Sequence, residues 1–260
     1  MYLSRVGILF AIAFGLTALG SAVTALPTLF MEWKRSESPE VLFYVGTREP
    51  VVALTIDDGP SLATPEILEV LAENDAQATF FVIGHHVREH PDLARRMVAE
   101  GHELGHHMMV DEPSIDLAVG AFRAGFEEMD GILDEFGQST FFRPGSGWYD
   151  DRMVDDAARL GYRTVLGSVY PFDAQIPFST LSTWYMRQLV GPGSIMILHD
   201  GPERGPRTAR VLRSLLPDLR SRGIRVVTLS TLTKLEGASS HATEPRPSAP
   251  RRSTAAVAAR

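Results

Sequence analysis

The chain has 260 residues, 44% hydrophobic and 22% charged, which is a globular composition with room for one domain of ordinary size plus tails. Its formal net charge of -7 leaves no basic footprint for nucleic acid and makes polyanions poor partners for the main domain. With no cysteine it can have neither disulfides nor thiolate-bound zinc, so any metal must be held by His, Asp or Glu.

The first element is apolar. Val6 to Met31 contains no charged residue, and about 20 apolar residues suffice to span a bilayer as a helix. Two readings of residues 1–31 stay open: an uncleaved signal anchor, or a signal peptide cut after Val23-Thr24-Ala25. The length of the run favours the anchor. Residues 32–47 are polar and mixed and read as a linker. Residues 237–260 are rich in Ser, Ala, Pro and Arg with almost no large apolar group, a composition expected to stay disordered.

Between 48 and 236 the pattern alternates. Short apolar runs at 51–56, 79–83, 140–142, 164–169, 194–198 and 225–229 predict buried strands. Helical spacing follows at 64–73, 91–100, 115–136, 151–160 and 208–222, with Gly101, Gly161 and Gly223 as stops. Strand alternating with helix implies a parallel sheet covered by helices. A closed barrel and an open doubly wound sheet both satisfy the pattern.

Polar residues cluster just after several strands, where the strand ends of βα architectures form sites. Asp57 and Asp58 are adjacent carboxylates in TIDDGP, directly after an apolar strand; they repel each other and need a cation to justify them. His107 and Asp111 stand four apart, so on a helical turn they share a face, whereas His106 and His107 point different ways and at most one serves a common metal. Arg143, in RPGSG, is placed to pair with a carboxylate, and the glycines there let backbone N–H groups approach a ligand. Asp173 alone reads as a loop aspartate. His199 ends the strongly apolar run ILH and suits proton transfer. Read singly, each has an ordinary structural explanation: an acidic turn, a core histidine, a surface arginine.

Taken in order, TIDDGP, HMMVD, RPGSG, Asp173 and Leu198-His199 resemble the polysaccharide deacetylases of the NodB-homology type (carbohydrate esterase family 4). ATFFVIG and GHELG beside them look familial too, and the resemblance spans 48–236. It implies an α/β fold, a distorted (β/α) barrel of about seven parallel strands. It also implies a divalent metal, zinc first with manganese, cobalt or iron(II) as alternatives, bound by Asp58, His107 and Asp111. In the family's terms Asp57 would be the general base, positioned by Arg143; His199 would be the general acid, held protonated by Asp173; and the backbone N–H of Ser146 would take the oxyanion. The reaction implied is removal of N-acetyl groups from N-acetylglucosamine units of chitin- or peptidoglycan-type glycans. The site would be extracytoplasmic, membrane-anchored or secreted, and the chain a monomer.

Asp111 stands where the family usually has a second metal histidine. A carboxylate there adds negative charge, weakens Lewis acidity and shifts preference towards harder ions. Met108 and Met109 replace a small hydroxyl and an aromatic, so the groove is expected to differ in shape. Trp148, Trp184 and Tyr185 are candidates for stacking on sugars, and equally for packing at a rim. Two other functions fit the same residues less fully: a C–N hydrolase on a small amide, and a non-catalytic carbohydrate-binding relic.

Overall fold

The computed structural model describes residues 29, 32–137 and 140–236. The membrane segment expected over 1–31 falls almost wholly outside these residues, and the tail expected over 237–260 falls outside them entirely. Among the described residues no helix is long and apolar enough to cross a membrane.

Among the described residues seven strands form one sheet in the order β5-β4-β3-β2-β1-β6, with β7 also paired to β1, and these strands all pair in parallel. The strands are β1 (Val51–Asp57), β2 (Ala78–Val82), β3 (Glu103–His106), β4 (Phe141–Phe142), β5 (Arg163–Thr164), β6 (Ile195–His199) and β7 (Arg225–Val227). β1 is central and all seven of its residues are buried, which is why it reads as a continuous apolar run rather than an alternating one. Past β5 the chain reaches Val169, which bridges Met196 of β6, so the sheet curls until its two ends approach each other. This resolves the choice between open sheet and barrel in favour of the curled form.

Among the described residues 32–37 are helical, and eight further α-helices follow: α1 (Thr64–Glu73), α2 (Gly84–Glu89), α3 (Pro91–Ala99), α4 (Val119–Leu133), α5 (Asp151–Arg159), α6 (Ser179–Leu189), α7 (Gly205–Ser221) and α8 (Leu229–Thr233). The main core lies between β1, β2 and β6 and helices α1 and α7, with Leu54, Phe80, Leu68, Leu212 and Leu198 buried completely. Side chains of this kind contribute about 1.5–3 kcal/mol each on full burial. A second, aromatic cluster of Phe122, Phe126, Phe142 and Tyr162 sits under α4 and α5.

Three sequence expectations change. The stretch 32–47 is not a polar tether throughout: Val41, Leu42, Phe43 and Val45 are buried, and Leu42 pairs with Val165 beside the sheet. The polar residues flanking VLFYV masked a core segment. The run 164–169 is a strand only at its first residue, because Gly167 takes a left-handed φ of 96° and breaks the ladder. The segment around His106, read for its chemistry alone, begins with strand β3, hidden because only Leu104 among its four residues is strongly apolar.

Candidate active site

Strand register brings the candidate residues together. Asp57 ends β1 and pairs in register with His199, which ends β6. On the other side Asp57 pairs with Phe81, Val82 with His106, and His106 with Phe142. His107 and Arg143 are therefore each one residue beyond a matched pair, and all of these side chains leave the same carboxyl edge of the sheet, where α/β folds place their sites.

Arg143 is buried and organises this edge. Its Nη1 donates to Asp57 Oδ1 at 2.5 Å and to Thr55 Oγ1 at 2.8 Å, its Nε donates to the Val165 carbonyl at 3.1 Å, and its guanidinium lies 4.1 Å from the Phe81 ring centroid. Thr55 in turn donates to the Met196 carbonyl at 2.6 Å. The hydroxyl of Thr55, within the otherwise apolar run VVALTI, is the sequence feature that marks this partner.

His199 is clamped by Asp173, which accepts from the His199 backbone N–H at 2.9 Å and sits 3.0 Å from its Nδ1. Burial opposes charge on His199, but the hydrogen bond to Asp173 and the charges of Asp173, Asp57 and Asp58 outweigh it and raise its pKa to about 9. The ring is thus a proton donor at neutral pH, with Nε2 its remaining donor. Tyr170 packs edge-on against it at 5.7 Å between centroids; nothing in the sequence pattern pointed to Tyr170.

Asp58 is also buried, in a left-handed conformation with φ 70°. His86 Nδ1, 2.7 Å from the Asp58 carbonyl, braces that turn. Burial favours the neutral acid at Asp58, yet the hydrogen bond to His107 and the charges of His107, His199 and Arg204 prevail and hold its pKa down at about 2. His107 Nδ1 lies 2.7 Å from the Arg143 carbonyl, which can only accept, so Nδ1 carries the proton. The pKa of His107 is raised, burial being outweighed by Asp58 and Asp57, so Nε2–H faces Asp58 Oδ1 at 3.3 Å; without that proton the Nε2 lone pair would meet the carboxylate, acceptor facing acceptor. That contact calls for a cation between the two groups, a proton or a metal ion, and the locked tautomer is the one a metal ligand needs. Asp58 and His107 therefore fit a divalent ion.

The remaining expectations divide. His106 is fully buried, stacked on Phe126 at 3.9 Å between centroids, with Nε2 3.1 Å from the Phe126 carbonyl. Burial lowers its pKa to about 3, so it is a neutral packing residue. Asp111 is not on a helical face shared with His107. The chain bends after β3, with Met108 at φ 67°, and the Asp111 side chain is 48% exposed. Among the described residues no three His, Asp or Glu side chains gather as a metal-holding group. Asp111 instead reaches Arg204, which joins it to Asp58. Met108 and Met109 are buried in the core and do not shape a groove. Ser146 is at the surface in a tight turn with φ 60°. Trp148 and Trp184 are exposed and Tyr185 is half-buried.

Asp200, beside His199, has a scaffolding role that its position in ILHD did not reveal. Its buried carboxylate accepts from Ser61 Oγ at 2.8 Å, Thr64 Oγ1 at 2.5 Å and the Gly201 N–H at 2.6 Å, tying the end of β6 to the start of α1. Gly205 packs so close that a Cβ there would meet Asp200 Oδ1 at 2.6 Å and Ala63 Cβ at 2.5 Å.

The family model for polysaccharide deacetylase matches residues 44–165. A peptidoglycan-N-acetylglucosamine deacetylase of Bacillus cereus is 32% identical over 221 residues, covering 80% of this chain and 95% of the relative. The chain belongs to the polysaccharide deacetylase family. A chitooligosaccharide deacetylase of Sinorhizobium fredii is 36% identical over 71% of this chain and 92% of its own length. The crystal structure of the Bc1960 peptidoglycan N-acetylglucosamine deacetylase superposes with a TM-score of 0.72 at 27% identity, over 76% of this chain and 94% of that one. The curled parallel sheet is thus the fold of polysaccharide deacetylases, and Asp57, Asp58, His107, Arg143 and His199 gather along one edge of it.

Proposed function

We propose that this deacetylase removes N-acetyl groups from N-acetylglucosamine units of a chitin- or peptidoglycan-type glycan, with the help of a divalent metal ion. The observation that carries this reading is the pairing, on adjacent strand ends, of a carboxylate clamped by Arg143 with a histidine clamped by Asp173. Hydrolysis of an amide needs a base for the attacking water and an acid for the departing amine, and these are the two groups supplied.

A divalent ion held by Asp58 and His107, zinc in the first place and manganese, cobalt or iron(II) otherwise, would polarise the acetyl carbonyl and acidify the attacking water. Asp57, with Oδ1 tied to Arg143, offers Oδ2 to take the proton from that water as its oxygen bonds to the acetyl carbon. The Ser146 N–H is assigned to the oxyanion that develops on the carbonyl oxygen. When the C–N bond breaks, His199 Nε2 gives its proton to the nitrogen, leaving acetate and a free amine. Asp173 keeps the ring charged and aimed for that step. One chain carries the complete set, so a monomer suffices. The uncharged run from Val6 to Met31 supports an anchored or secreted enzyme acting outside the cytoplasm.

The test is acetate release from chitooligosaccharides and from peptidoglycan with added Zn²⁺, Mn²⁺ or Co²⁺, comparing wild type with Asp57→Asn. Release by wild type alone supports the reading. Equal release from both removes it, and turnover of small amides without turnover of glycans replaces the substrate class.

A further inference from the structure

Arg204 holds the two carboxylates that the metal would need. Its Nη1 donates to Asp58 Oδ2 at 2.6 Å and its Nη2 to Asp111 Oδ2 at 3.1 Å. Asp58 Oδ1 faces His107. Both oxygens of Asp58 and one of Asp111 are therefore engaged, two of these three by one guanidinium. Arg204 sits at the N-terminal edge of α7, just after the turn at Gly201 (φ 115°), and its side chain is 30% exposed. It has a route to solvent, unlike Arg143, which is buried and held through Nη1 and Nε.

We propose that Arg204 is a tethered cation that competes with the divalent ion for Asp58 and Asp111. This rests on the metal-dependent reading above and deepens it. With Arg204 in place the acidic pair is neutralised from within the chain, and Asp111 is drawn towards α7 instead of converging on Asp58 and His107. For an ion to collect Asp111 as a third protein ligand, the guanidinium must release both carboxylates, since the same oxygens cannot serve both cations and the two like charges repel at this range. The aspartate at 111 is what makes the device possible, because a neutral histidine there would give Arg204 nothing to bridge. Metal affinity is thereby lowered, and a higher metal concentration is needed to fill the site.

The experiment is Co²⁺ binding to the full chain, by calorimetry and by the visible absorption of the bound ion, for wild type, Arg204→Gln and Arg210→Gln. Arg210 lies on the same helix and is exposed, so its variant matches the loss of charge without touching the site. Arg204→Gln is expected to bind Co²⁺ about tenfold more tightly than wild type, or more, with a spectral change reporting an added ligand. Arg210→Gln should stay within about twofold of wild type, since a screened, distant charge matters little. Adding Asp111→Asn to Arg204→Gln should remove most of the gain. Equal affinities for wild type and Arg204→Gln would overturn the proposal and leave the metal-dependent reading standing. No Co²⁺ binding by any of the proteins would overturn both.

Discussion

Asp57 and His199 occupy matched positions on neighbouring parallel strands, so the proposed base and acid are placed by one sheet register and not by loops. Each is then aimed by a buried partner of opposite charge, Arg143 for Asp57 and Asp173 for His199. Such preorganisation makes the pair sensitive to loss of either partner, even where the fold survives.

Replacing Asp57 by Asn keeps the volume and removes the proton acceptor. Acetate release from chitooligosaccharide should fall about 100- to 10,000-fold, with circular dichroism unchanged. A fall below tenfold would mean another group takes the proton.

The pH dependence follows from His199. Its pKa is raised from 6.5 to about 9 in the folded protein, so the charged, donating form persists until pH climbs through about 9, and activity should decline on that alkaline limb. Asp173→Asn removes the partner that raises it, and the limb should move down by one or more units, with a loss of about twofold or more at pH 8. Stability has the same sign. The His199–Asp173 pair contributes fully below pH 6.5 and is lost as pH rises through about 9. Denaturant unfolding of wild type and Asp173→Asn should therefore differ more at pH 6 than at pH 10.

Neighbouring histidines should behave in opposite ways. His107→Gln removes a nitrogen poised against Asp58 and should weaken Co²⁺ binding about 100-fold or more. His106→Ala takes a ring out of an aromatic stack and leaves the buried Met108 N–H without its acceptor, costing about 3 kcal/mol of stability, with Co²⁺ affinity nearly unchanged. Calorimetric titration and urea denaturation on the same two proteins separate the roles.

Asp200→Ala strips three hydrogen bonds from a buried carboxylate and strands the hydroxyls of Ser61 and Thr64. The expected cost is about 3 kcal/mol in urea denaturation. Asp200→Asn should recover part of it. A loss below about 1 kcal/mol would show that the β6–α1 tie is not structural.

Much of this protein was legible along the chain. The apolar runs of β1, broken only by Thr55, and of β6 announced buried strands, and the polar residues closing them, Asp57 and His199, stood where a parallel sheet places its chemistry. The order of the segments carried the family and, with it, the curled sheet. Local pattern could not show which side chains meet. His106 and His107 are alike in sequence, and only the end of β3 decides that one stacks on Phe126 while the other faces Asp58. The four-residue spacing of His107 and Asp111 suggested a common face, but that holds only on a helix, and the chain bends there. Arg204, far along in GPERGPR, gave no sign of its partners, because its place beside Asp58 and Asp111 comes from the packing of α7 against the sheet. Periodicity along the chain reports burial, which is a one-dimensional property. Convergence of charges from positions 58, 111 and 204 depends on long-range register and packing, and these exist only once the chain has folded.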